Sequence, residues 1–345
     1  MSNPLTAFDQ SFAEQLFERQ AALQPDLKDY SPIWRQKCIR DILFHLQFLE
    51  QAIAAESTAL FGDYFGWVNV ILQQRGMTDN GLDQFLNVLR DTFKEMLIEP
   101  AYLEILPYLQ AGWDSLADLA TVSDQSAIQP ENPFYAEAKE YFDILLQKDR
   151  QAGLQKVQSF VARGLDVKDI YLHIFQPVQY ELGRLWQMNR ISIAQEHFGT
   201  ALTQMAMSQL YPNVFNGEVS GFRMIAACVG SEFHEVGIRM VTDFFAMAGW
   251  ETYYLGANMP SEAIILAINE YQADLLALSI TLSTQITKLR DLIGEIRGGL
   301  DHEIKILVGG HPFNVDPKAW QFVGADGYAA DAETAVDTAF TLVRW

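Results

Sequence analysis

The strongest constraint on the fold lies in the last third of the chain. From residue 220 onward five short apolar or β-branched runs, at 222–229, 251–256, 273–280, 304–310 and 326–329, alternate with amphipathic helical stretches. Apolar runs of strand length are buried on both faces, and a helix after each one carries the chain back to start the next strand in parallel. Residues 220–345 therefore predict a Rossmann-like (flavodoxin-like) five-stranded parallel sheet with helices on both faces.

Upstream the period is helical. Residues 1–120 place apolar side chains three and four apart, as in DILFHLQFLEQAI, with Gly76, Asn80 and Gly81 marking a turn. They predict an all-helical domain. The polar stretch 121–133, with two prolines and no periodicity, reads as a linker. Residues 134–215 return to helix in about four pieces, broken near Gly164, near Gly183 and at 189–192, which predicts a four-helix-bundle unit. The whole is a multidomain α and α/β protein, and 345 residues suffice for two or three separate cores.

Composition narrows the partners. A net charge of −20 without a basic stripe repels a phosphate backbone, so DNA binding is not expected. No run of 18 apolar residues appears, so no membrane span is expected, and the N-terminus lacks the basic and apolar blocks of a secretory signal. The expected location is the cytoplasm. Cys38 and Cys228 form no metal or disulfide pattern.

The first predicted strand runs into Glu232-Phe233-His234-Glu235-Val236-Gly237 ahead of a helix. In open parallel sheets ligands bind beyond the carboxyl ends of the strands, and the loop after the first strand lies there. An imidazole at His234 is placed to ligate a metal, with Glu232 placed to accept the other ring N–H. These residues resemble the cobalamin-binding module with the pattern Asp-x-His-x-x-Gly, here with glutamate for aspartate. The resemblance implies that His234 ligates the cobalt of cobalamin and that Phe233 and Gly237 line the cofactor. It also implies a nucleotide tail beside Ser279 and Thr281 at the end of the third strand, and beside Gly309 and Gly310 at the end of the fourth.

In the helical unit, Ser192 and Gln195 form a predicted capping box for the helix that carries Glu196 and His197. Trp186, followed after nine residues by Glu196-His197, resembles the cap of adenosylcobalamin-dependent photoreceptors related to the light-sensing B12 repressors. That likeness implies a cap in which Trp186 packs over the adenosyl group and the Glu-His pair contacts it. The repressors carry histidine directly after the tryptophan; here Gln187 stands there.

The N-terminal domain differs from the repressors' basic DNA-reading domain, with 8 Lys/Arg against 17 Asp/Glu in residues 1–120. It also lacks the strand–helix repeats of a TIM barrel, so no enzyme reaction chamber is expected. An acidic helical domain joined to such a module resembles the photocobilins, which combine cobalamin with biliverdin; His45, Tyr64 and Trp67 are the candidate bilin contacts. The expected function is a photoreceptor in which light-driven cobalt–carbon cleavage changes conformation or assembly. Because no effector domain follows Trp345, the signal is expected to leave through a light-dependent homo-oligomer or a separate effector protein. The rival expectations are a corrinoid carrier serving separate methyltransferases, or a haem domain using His45 as axial ligand.

Overall fold

A computed structural model describes residues 8–24, 31–76, 81–117, 125–214 and 219–344. The expected turn residue Asn80, the domain boundary at 120 and linker residues 121–124 lie outside them.

Five helices form the N-terminal domain: α1 (Gln10–Leu23), α2 (Pro32–Ala54), α3 (Thr58–Gln74), α4 (Gly81–Met96) and α5 (Glu99–Ala117). Side chains of Asp9 and Ser31 accept first-turn N–H groups and so start α1 and α2. The helices close over Leu16, Leu46, Phe61, Phe65 and Leu86, all buried.

The second unit holds α6 (Tyr135–Gln147) and α7 (Arg150–Ala162). A rod follows, from the short α8 (Val167–Asp169) through a π-helical turn (Ile170–Phe175) into α9 (Gln176–Gln187), and α10 (Ile193–Leu210) completes the unit. The four-helix expectation is met with one correction. No break occurs at Gly183, which lies inside α9; the chain turns instead at Lys148, in left-handed backbone with φ 61°. An interior glycine costs a helix only about 1 kcal/mol, and a lysine in the C-terminal left-handed position carries no sequence mark. The residues 125–133 expected to be linker are partly built into this unit. Ile128 is buried in its core, the Ala127 N–H donates to Glu181 Oε2 at 2.8 Å, and Asn132 Nδ2 donates to the His173 carbonyl at 2.7 Å.

The C-terminal sheet contains β1 (Arg223–Val229), β2 (Glu251–Met259), β3 (Leu275–Ser279), β4 (Lys305–Gly309) and β5 (Gly327–Ala329). The strands run parallel in the order β2-β1-β3-β4-β5. The helices are α11 (Val236–Met247), α12 (Ser261–Tyr271), α13 (Ile286–Gly299), α14 (His311–Val315), α15 (Ala319–Val323) and α16 (Ala332–Val343). Alternation along β1 sends Ile225, Ala227 and Val229 into the core with α12 and α13, and Met224, Ala226 and Cys228 into the core with α11 and α16. Strand order reverses between β1 and β3, which sets the ligand crevice at their carboxyl ends.

The three units share interiors. Met240 and Phe244 of α11 join the core of the four-helix unit, and the Tyr171 hydroxyl donates to Asp243 Oδ2 at 2.7 Å. On the other side, Gln51 of α2 accepts from the Thr287 N–H at 3.0 Å and from its hydroxyl at 2.7 Å. Asp63 of α3 bonds His311 Nε2 at 2.8 Å. No helix of the described residues is long and apolar enough to cross a membrane.

Candidate functional site

The loop between β1 and α11 turns on Ser231, whose φ of 75° is unusual for a residue with a Cβ. Three hydrogen bonds to two neighbours hold that turn. The Ser231 N–H donates to Asn258 Oδ1 at 2.7 Å, the Asn258 N–H donates to the Glu232 carbonyl at 3.1 Å, and Gln285 Nε2 donates to the Ser231 carbonyl at 3.2 Å.

Glu232 is the hub. Its side chain is 1% exposed, and Oε1 accepts the backbone N–H groups of Phe233 and His234 at 2.9 Å each and faces His234 Nδ1 at 2.5 Å. Oε2 accepts the Thr281 N–H at 2.5 Å. Burial alone would raise this carboxyl, but the bonds from the His234 ring and the backbone of His234 and Thr281 outweigh it and hold it below its ordinary value. A carboxylate so held keeps Nδ1 of His234 as the ring's donor and leaves Nε2 as the ligating atom. The extra methylene of glutamate leaves the expected bond to His234 intact.

His234 itself is 63% exposed and stands ready for a ligand. Its pKa is raised, first by the hydrogen bond to Glu232, against burial, and with a contribution from the charge of Glu196. Glu196 lies on α10 of the four-helix unit, and that helix meets the loop through Gln204 Nε2, which donates to Glu235 Oε1 at 2.9 Å. Phe233 is exposed, and a side chain added at Gly237 would meet no protein atom within 4 Å. Cys228 lies under the loop, but burial pushes its thiol up to about 12, which keeps it protonated and a poor ligand.

Trp186 is half-buried at the end of α9, against the core of the unit. The capping box forms as expected, with Ser192 and Gln195 exchanging bonds at 3.3 and 3.1 Å, and it sets Glu196 and His197 in the first turn of α10. His197 Nδ1 pairs with Glu196 Oε2, and Glu196 Oε1 accepts the Thr200 hydroxyl at 3.1 Å.

Three of the expected tail contacts also have roles within the protein itself. Thr281 serves through its backbone N–H, on Glu232. Gly309 and Gly310 answer to the protein's own chain: a Cβ on Gly310, at φ 108°, would lie 1.9 Å from the Ile280 carbonyl oxygen, and one on Gly309 would lie 3.3 Å from that of Ala329. Ser279 is paired in β3 with Gly309 across the sheet.

The three N-terminal candidates do gather. His45 Nδ1 and the Tyr64 hydroxyl are 2.6 Å apart, and the Tyr64 and Trp67 rings lie 6.1 Å apart. Their surroundings are filled, however. Phe48 stacks on Tyr64 with ring centroids 3.5 Å apart, and His45 packs against Phe65 and Phe85. Burial lowers the His45 pKa to about 4, so the ring is neutral at pH 7. These residues pack into the aromatic core of the domain.

Sequence reasoning missed Asn258, Gln285 and Glu235. Glu235 joins the loop to both neighbours, accepting from Gln204 Nε2 of α10 at 2.9 Å and from the Tyr254 hydroxyl of β2 at 2.9 Å. Arg239 adds bonds to the Gln204 carbonyl at 3.2 Å and the Ser208 hydroxyl at 2.7 Å. Nothing local marks these residues, because each acts on a segment distant in sequence.

The residues fit a corrinoid. Among the described residues no group of three His, Cys, Asp or Glu side chains gathers to hold a metal. A single prepared imidazole suits a metal whose equatorial ligands come from a macrocycle. Comparisons with known proteins agree. Residues 222–337 and residues 137–211 each match a family model described as a B12 binding domain. A corrinoid protein of Desulfitobacterium hafniense strain Y51 is 25% identical over 190 residues, 53% of this chain and 80% of its own. Dimethylamine corrinoid protein 3 of Methanosarcina mazei is 27% identical over 168 residues, 48% of this chain and 96% of its own. The HTH-type transcriptional repressor CarH of Myxococcus xanthus is 23% identical over 237 residues, 68% of this chain and 76% of its own. The monomethylamine corrinoid protein of Methanosarcina barkeri shares the fold at a TM-score of 0.55 and 20% identity, over 61% of this chain and 99% of that one. The chain thus carries B12-binding domains over residues 137–211 and 222–337, and it is homologous to corrinoid proteins and to the repressor CarH.

Proposed function

We propose that the protein is a photoreceptor that holds adenosylcobalamin between His234 and the helical cap, and that its output is a change in how the cap sits or how the chain assembles. The observation that carries this reading is the hydrogen bond at 2.9 Å from Gln204 of the cap helix α10 to Glu235 of the His234 loop, which sets the cap against that loop. Bound there, adenosylcobalamin supplies a weak cobalt–carbon bond that visible light breaks. The protein's part is positional. His234 would hold the metal through Nε2, and Glu232 fixes the ring. Trp186 would supply apolar surface for the adenosyl group, with Glu196 and His197 as polar contacts. The match to CarH, over 237 residues against 168 to 190 for the two corrinoid proteins above, supports a shared cap. On this reading the chain is a cytoplasmic sensor without enzyme activity, and it signals through self-association or a separate effector.

Only the domain order favours biliverdin as a second chromophore. Phe48 and Tyr64 would have to part to admit it. Added biliverdin that yields red absorbance in the purified protein would support it, and a spectrum of cobalamin alone would end it.

A burial contact of the Trp186 kind is worth roughly 1.5–3 kcal/mol, enough to shift a two-state population about ten- to a hundredfold. Illumination of the adenosylcobalamin-loaded chain is therefore expected to change its elution volume or the hydrogen exchange of α9 and α10. Trp186→Ala is expected to spare hydroxocobalamin binding and to erase the preference for the adenosyl form. Identical dark and light profiles, with photolysis confirmed by absorbance, would favour the second reading, a corrinoid methyl carrier. Similarity to the dimethylamine corrinoid protein, over nearly that protein's full length, is the observation behind it.

A further inference from the structure

Four buried side-chain polar atoms among the described residues have no hydrogen-bond partner: Ser57 Oγ, Gln84 Oε1, Trp250 Nε1 and Gln285 Oε1. Ser57 and Gln84 belong to the N-terminal domain, and Trp250 precedes β2 at the amino end of the sheet. Gln285 alone lies at the carboxyl ends of the strands, closing the short 3-10 turn Ser283–Gln285 after β3. Strand order reverses beside it, between β1 and β3.

The two edges of this carboxamide are used differently. Gln285 is 5% exposed, and its Nε2 donates to the Ser231 carbonyl at 3.2 Å. Exchanging the amide atoms would set Oε1 against that carbonyl, acceptor against acceptor, so the orientation is determined. Oε1 is left buried with no donor. Buried amide oxygens are nearly always answered, by protein, by ordered water or by a ligand. A purely structural tie to Ser231 needs only the Nε2 edge.

We propose that Gln285 is a corrinoid-binding residue: with Nε2 turned to the Ser231 carbonyl, Oε1 accepts a hydrogen bond from an N–H or O–H donor of the bound corrinoid. The inference rests on the cobalamin reading of the site and adds a contact that the His234 motif does not contain. Corrinoids offer such donors in two places, the carboxamides of the ring edge and the hydroxyl and amide groups of the nucleotide tail.

The test compares the intact wild-type chain with Gln285→Met, titrated with hydroxocobalamin and with cobinamide, which lacks the tail. Hydrogen exchange of the 230–237 loop is measured in both proteins without cofactor. The expected result is about tenfold weaker hydroxocobalamin binding, equivalent to about 1.4 kcal/mol, with loop exchange unchanged because the two bonds to Asn258 still hold the Ser231 turn. Loss confined to hydroxocobalamin assigns the donor to the tail; equal loss for cobinamide assigns it to the ring. Affinity within twofold of wild type overturns the proposal, and so does a loss matched by faster exchange of the loop, which would make Gln285 a structural tie only. Gln285→Leu repeats the comparison should the methionine variant fold poorly. Wild-type protein that takes up no hydroxocobalamin would instead remove the cobalamin reading, an outcome separate from any difference between variants.

Discussion

At the scale of single residues the site is organised by one carboxylate. Glu232 receives three backbone N–H groups and faces the His234 ring, so its removal would leave those donors unanswered in a buried place. Glu232→Ala is expected to weaken hydroxocobalamin binding about 10- to 100-fold, the usual cost of losing the partner that orients a metal-ligating histidine. Absorbance titration measures it, with circular dichroism as the check on folding. A variant that binds as wild type would mean that the backbone orients the imidazole without help. The pairing was legible in the sequence because a two-residue spacing places both side chains in one loop.

At the scale of elements the informative positions are glycines that look alike in the sequence and differ in space. Gly310 stands in left-handed backbone with the Ile280 carbonyl where a Cβ would go, while Gly183 sits inside α9 with nothing within 4 Å of that point. Gly310→Ala is expected to destabilise the chain by about 3 kcal/mol or more, since neither backbone has room to move. Gly183→Ala is expected to stabilise it by up to about 1 kcal/mol. Denaturant midpoints measured on the two variants check both. Equal, small effects would show that the ends of β3 and β4 separate easily. Similar logic explains the turn at Lys148, where tertiary packing imposes a conformation that no local residue type announces.

At the scale of the whole molecule the N-terminal domain is tied to the cobalamin domain by pairs at its edge. The Asp63 carboxylate raises the His311 pKa, with burial opposing and the imidazole still half exposed. A histidine with a raised folded-state pKa contributes its full stabilisation below its ordinary value of about 6.5 and loses it as pH rises through the raised value. Docking of α3 on α14 is therefore expected to weaken as pH rises above about 6.5 and through the raised value, modestly, because solvent screens the pair. Hydrogen exchange of the two helices at pH 6 and 8.5 reads it. Asp63→Asn should flatten the dependence, and an unchanged slope in that variant would assign it to other groups. The N-terminal domain and the helical unit both touch the α/β domain, so a change at the cobalamin site has a contact path to either one.

The amino-acid sequence by itself determined the elements and the motif. The five strands stand where apolar runs interrupt the helical period, the capping box forms at Ser192 and Gln195, and His234 lies in the loop after β1, because each depends on residues within a few positions of one another. Tertiary structure alone decided how the parts meet. It set Gln204 of α10 against Glu235 of the His234 loop, gave Ile128 of the supposed linker a place in the cap, filled the surroundings of His45 with other rings, and brought Asn258 and Gln285 onto the turn at Ser231. Those contacts join segments tens of residues apart, and a hydrogen bond or a packed face between such segments leaves no period, spacing or residue type in either one from which it could be read.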